Sequence, residues 1–139
     1  MKTSRHFAFA MLGLVALLMP MHLAAQSGTF RITVPFDFAV ESQPFAAGEY
    51  YVASNADGLV HISSADGRVN RAMLAYPVYP KDRGVRAGLV FRRYGDHYFL
   101  SRVWSGGDVG NELPRSRGER EALAKIEGGE PITVLASGQ

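Results

Sequence analysis

The stretch VPFDFAVESQPFAAGEYYV, residues 34–52, decides how the chain folds. It reads as apolar alternation, a bend, and apolar alternation again. Phe30, Ile32, Val34, Phe36, Phe38 and Val40 share one parity, while Arg31, Thr33, Asp37 and Glu41 hold the other. A period of two is that of a half-buried strand. Pro35 has no N–H to give to a ladder, so the run is either an edge strand or two strands split by an irregularity. Gln43-Pro44 opens the bend and Ala47-Gly48 closes it. Glu49 to Ser54 then resumes a strand, with the Tyr and Val residues that strands favour. On this reading residues 34–52 are two core strands joined by a Pro/Gly turn. Phe36 and Phe38 are expected to be buried, with Tyr50 and Val52 packed near them. Gly48 is expected to need a positive φ or a close approach.

The same alternation extends downstream. Asn55-Ala56-Asp57-Gly58 is a turn by composition, and Ala65-Asp66-Gly67 repeats its Ala-Asp-Gly. The spacing fits a meander of short hairpins with strands at 59–63 and 69–76. Residues 77–87, PVYPKDRGVRA, read as a basic loop. Gly95-Asp96 lies between two aromatic, β-prone runs, 89–94 and 97–104, and marks a hairpin. A regular register sets Tyr94 opposite His97, Arg92 opposite Phe99, Phe91 opposite Leu100, Val90 opposite Ser101 and Leu89 opposite Arg102. Residues 105–110 are glycine-rich. Ser116-Arg117-Gly118-Glu119 is a capping box, predicting a helix from Arg117 to Glu127 with Ala122, Leu123 and Ile126 on one face. Gly128-Gly129 stops it, and a last strand is expected over 132–136. This order specifies a mainly β fold: an antiparallel β-sandwich or small barrel with one short C-terminal helix.

The N-terminus predicts a separate fate. Lys2 and Arg5 precede an apolar run from Phe7 to Met19, Pro20 ends it, and Leu23-Ala24-Ala25 supplies small residues before Gln26. That is the pattern of a cleaved signal peptide over 1–25. The run falls short of the roughly 20 apolar residues a membrane span needs. The expected mature chain, 26–139, is a single β-rich domain in the periplasm or outside the cell, with no transmembrane span left after cleavage. The sequence carries 15 Lys+Arg and 13 Asp+Glu. Losing Lys2 and Arg5 leaves thirteen of each sign, which removes the global basic charge that nucleic-acid binding would need. Charge is uneven, however: Arg68, Arg71, Lys81, Arg83, Arg86, Arg92, Arg93 and Arg102 face only Asp82 and Asp96 within 68–102. The absence of cysteine rules out disulfides, thiol nucleophiles, thiolate ligands and a lipidated cleavage site.

Three segments carry a resemblance. They are Val34-Pro-Phe-Asp-Phe with Ala47-Gly48-Glu-Tyr-Tyr-Val, residues 89–104, and Gly110-Asn-Glu-Leu-Pro-Arg-Ser-Arg-Gly-Glu-Arg-Glu121. Together they resemble a group of small exported β-rich proteins of acidobacterial type, over nearly the whole expected mature chain. That group shows Pro where this chain has Ala46, so the bend here is expected to be less rigid. The resemblance implies export and one β-rich domain, and it brings no catalytic residues with it.

Chemistry is sparse. His61 and His97 fall on separate predicted strands, and no spacing demands a metal. There is no G-x-S-x-G elbow and no phosphate-cradling glycine motif. Glu112, Glu119 and Glu121 are close in sequence, but Glu119 has the capping box and Glu121 precedes Lys125 by one helical turn. No catalytic residue, metal ligand or cofactor is therefore assigned. The stronger expectation is binding. Tyr76, Tyr79, Tyr94, Tyr98 and Trp104 are amphipathic rings on or beside strands, suited to stacking on a sugar or to filling a core. The hairpin residues Arg92, Arg93, Tyr94, Tyr98 and Trp104 form the candidate binding set. The role expected is a non-catalytic envelope or extracellular module, either binding or structural, with a glycan or envelope component as partner. Self-association through an edge strand near Pro35 is a further route. The alternative is a small secreted hydrolase acting on an extracellular polymer.

Overall fold

A computed structural model describes residues 28–125 and, for the backbone, 130–135. The expected leader over 1–25 and the helix end at Ile126-Glu127 lie outside the described residues.

Two sheets face each other. The first contains β1 (Gly28–Val34), β4 (Gly48–Ser54), β5 (Leu59–Ser64) and β6 (Asn70–Leu74), in the spatial order β1-β4-β5-β6 and antiparallel throughout. The second contains β7 (Tyr76–Val78), β8 (Gly88–Tyr94), β9 (His97–Trp104), β10 (Gly110–Glu112) and β11 (Glu130–Leu135), in the order β11-β8-β9-β10-β7. The short hairpin β2 (Phe38–Val40) and β3 (Gln43–Phe45) joins that sheet through one parallel bridge, Ala39 to Phe99. Helix α1 spans Arg117–Lys125. The result is an open sandwich, not a closed barrel. Most of its apolar side chains are directed inward: Ile32, Val34, Tyr50, Val52, Val60 and Ile62 from one sheet meet Phe38, Phe45, Leu89, Phe91, Leu100 and Val103 from the other.

Pro35 acts in both of the ways open to it. β1 ends at Val34, the chain breaks over Pro35-Phe36-Asp37, and β1 is the edge of its sheet. Phe38 is buried, packed edge-on against Tyr50 at 5.3 Å and Phe91 at 5.2 Å between ring centroids. Phe36 is only partly buried, stacked on Tyr98 at 3.9 Å.

Several local expectations are corrected. Gln43-Pro44 does not open a bend: it belongs to β3, and the turn is Glu41-Ser42 just before it, where Glu41 takes φ 56°. Gly48 has no positive φ, and a Cβ there would meet nothing within 4 Å, so it is an ordinary strand residue. The glycine that the meander does require is Gly58, with φ 88° and a Cβ position only 2.2 Å from the Ala75 carbonyl oxygen. The run 69–76 is broken at Ala75, so that β6 stays in the first sheet and β7 crosses to the second. The hairpin register holds from Tyr94–His97 to Phe91–Leu100 and then slips, so that Val90 faces Arg102, Leu89 faces Val103 and Gly88 faces Trp104. The cause is Ser101, the extra residue of a bulge. Without it Arg102 would point into the core; with it Val103 is buried there and Arg102 reaches the outer face.

Candidate functional site

The slip at Ser101 sorts the outer face of the β8–β9 hairpin into two ends. At one end lie Tyr94, Arg92 and Phe99, covered by α1. Ser116 Oγ accepts the N–H of Glu119 at 3.1 Å, which is the N-cap half of the box. The Glu119 carboxylate serves a different purpose. It is buried, accepts Arg92 Nη1 at 2.7 Å and the Tyr94 hydroxyl at 3.0 Å, and lies 3.9 Å from Arg115 Nε. Burial and the adjacent Glu119 carboxylate raise the Tyr94 pKa. Arg92 also reaches Glu112 at 3.5 Å, and Glu112 is held by Arg102 at 3.1 Å. An alternating chain Arg102–Glu112–Arg92–Glu119–Arg115 thus pins the helix to the sheet.

The five candidate residues are accordingly divided. Arg92 and Tyr94 lie in this helix-facing network. Arg93 is exposed near the hairpin turn, donates to the Gly95 carbonyl at 2.8 Å and lies 5.7 Å from the centre of the Tyr98 ring. Tyr98 in turn covers Phe36. Trp104 is at the far end of the hairpin, where its ring lies against Gly110 so closely that a Cβ there would sit 2.4 Å from it.

Around Trp104 the sheet opens into a hollow of about 550 Å³. Val90 and Gly88 of β8 form its floor with Arg102, and Val78 of β7 and the loop Tyr79–Arg86 form its wall. Tyr79 is 74% exposed. Lys81 and Arg86 line the wall and form no ion pair among the described residues, against one acid, Asp82. Arg102 is already matched by Glu112. An isolated bridge, Val85 to Gly107, ties this loop to the glycine-rich segment after β9. The basic loop and the rings at 79 and 104 were each visible in the sequence. Their meeting was not, because β7, β8 and β9 are brought together by the second sheet's order and by the bulge.

The remaining candidates for chemistry do not converge. Glu112, Glu119 and Glu121 are each engaged by arginine, the last by Arg117 at 2.9 Å rather than by Lys125. His61 sits on β5 against Asn70, and His97 starts β9 in the other sheet. Among the described residues no group of three or more His, Cys, Asp or Glu side chains is gathered, and no helix is long and apolar enough to cross a membrane. No protein-family model, curated protein or solved structure matches the chain.

Proposed function

We propose that the chain is an exported, non-catalytic binding module whose ligand is an acidic polysaccharide of the cell envelope, held in the hollow beside Trp104. The observation that carries this reading is the composition of that hollow: the exposed ring of Tyr79 and the half-buried ring of Trp104 beside Lys81 and Arg86, which form no ion pair among the described residues, with the apolar Val78 and Val90 also in its lining. A sugar ring presents apolar C–H faces to such rings. A carboxylate or sulfate on it pairs with the cations, an attraction that salt weakens. The volume suits a ligand of one to a few sugar rings. Export is supported by the leader-like N-terminus, and the resemblance to small exported proteins of acidobacterial type points the same way.

The test is retention of the purified protein on immobilised polygalacturonate and on neutral dextran, at low and physiological salt. The reading expects retention on the acidic polymer alone, reduced about tenfold in Tyr79→Ala. Equal retention on both polymers, or retention indifferent to Tyr79→Ala and Arg86→Ala, would overturn it.

A further inference from the structure

The first sheet ends on two strands, β1 and β6. The ladder between β5 and β6 is regular and sets Leu59 against Leu74 and Ser63 against Asn70. Ser64 N–H donates to the Val69 carbonyl at 2.8 Å and Ala75 N–H to the Gly58 carbonyl at 2.7 Å, one step beyond each end of that register. In an antiparallel pair every second residue turns its N–H and C=O toward the neighbour. Val69, Arg71, Met73 and Ala75 therefore face β5, and Asn70, Ala72 and Leu74 turn their backbone groups outward. Those groups have no partner among the described residues.

The three outward residues are exposed and none is charged. Leu74 is 74% exposed, and Leu59 opposite it on the same face is 46% exposed. Arg71 lies on the other face, where Glu41 matches its charge. Open edges are ordinarily blunted by charge or by proline. The other described edges have one or the other. β3, β7 and β11 carry Pro44, Pro77 and Pro131. In β4, Glu49 pairs with β5 by accepting the Ala65 N–H at 2.9 Å, so the even-numbered residues of β4 face β1. β1 thus turns Thr29, Arg31 and Thr33 outward, with the charge at the centre.

The outward set of β6 is complementary to itself. A twofold rotation about Ala72 sets Ala72 against its own copy, and Asn70 against Leu74 in both directions. Each residue then exchanges both of its backbone groups with the residue opposite. Small side chains meet at the axis, and Leu74 gains a neighbour on its open side. The same rotation about β1 would bring Arg31 against Arg31, and like charges directly opposed repel. Pairing through β6 also stops at two copies, because the joined sheet ends on β1 at both sides.

We propose that the protein forms a twofold dimer by antiparallel pairing of β6 with β6 of a second copy. A second copy is the occupant because the free groups match their own rotated image with no offset. A five-residue edge makes a small contact beside the roughly 1,200 Å² at which stable interfaces begin, so the dimer depends on concentration. β6 contributes no residue to the hollow beside Trp104, and the dimer stands apart from the acidic-polymer reading.

The test is sedimentation velocity from micromolar to millimolar protein, with amide hydrogen exchange followed by NMR at both ends of that range. A dimer mass is expected at the upper end, with slowed exchange there at Asn70, Ala72 and Leu74. Ala72→Lys sets like charges at the axis and should restore the monomer mass. Ala72→Pro removes an outward N–H alone and should do the same, with circular dichroism showing the fold intact in both. Arg31→Ala should leave the dimer in place. A monomer throughout would overturn the proposal and leave the edge to an extended segment of another protein. A dimer that survives both changes at Ala72, or one that slows exchange at Thr29, Arg31 and Thr33 instead, would overturn it equally.

Discussion

The carboxylate of Glu119 accepts Arg92 at 2.7 Å with only 2% of its side chain exposed, joining the single described helix to the middle of the second sheet. A carboxylate that deep is tolerated only because Arg92 and the Tyr94 hydroxyl replace its hydration. Removing one partner leaves the other charge buried and unmatched. Arg92→Met should therefore destabilise the protein by about 3 kcal/mol. The double variant Arg92→Met/Glu119→Leu should recover much of that loss. A urea double-mutant cycle measures both. Additive losses in the cycle would mean that the two residues act separately.

Tyr94 adds a pH signature. Its pKa is raised, first by burial and then by the Glu119 carboxylate that its hydroxyl faces. A folded-state pKa above the unfolded value near 10.0 means the folded state holds the proton longer. The associated stability is complete below that pH and is lost as pH rises through the folded value. Chemical denaturation across the alkaline range should show this decline. In Tyr94→Phe the decline should be shallower, on a baseline lowered by the missing hydrogen bond. Identical alkaline slopes in both proteins would remove Tyr94 as the cause.

Two glycines should behave oppositely. Gly58→Ala forces a side chain onto a positive φ and against the Ala75 carbonyl, and should cost about 2 kcal/mol or more. Gly48→Ala places a methyl in open space on a strand and should leave stability unchanged or raise it by up to about 1 kcal/mol. Thermal melts of the two variants beside the parent decide the matter. Equal destabilisation would contradict the turn geometry.

Phe38 sits where the sheets meet, against Phe45, Tyr50 and Phe91. Phe38→Ala should cost about 3–5 kcal/mol, as aromatic truncations in a core do. A parent-like melting temperature would place the core elsewhere.

Much of this was legible in the alternation of residues 30–40 and 89–104, because a sheet with one buried face writes its period directly into the chain. Pro35 announced the break, and Ser116 with Glu119 announced the helix start. Three features were hidden for physical reasons. β3, β7 and β10 are three residues each, too short to display a period. The bulge at Ser101 changes which parity faces inward, so the regular register set Arg102 opposite Leu89 and Ser101 opposite Val90, whereas Val90 faces Arg102 and Leu89 faces Val103. Glu119 fitted its capping role by sequence, and nothing local reveals that its carboxylate is claimed by Arg92, which lies well upstream in the chain. The hollow beside Trp104 depends on the first two: it needs β7 in the second sheet and the slipped register, which places Arg102 where Glu112 neutralises it.

Trp104 is the only tryptophan in the chain, so its fluorescence reports directly on that hollow. The most direct measurement is a titration of the purified protein with oligogalacturonate while following this emission at low salt. A saturable change that weakens with added salt, and shifts to higher ligand concentration in Tyr79→Ala and Arg86→Ala, is the predicted result. No change in Trp104 emission, at concentrations where binding is seen by another readout or throughout the accessible range, would contradict the assignment of the hollow.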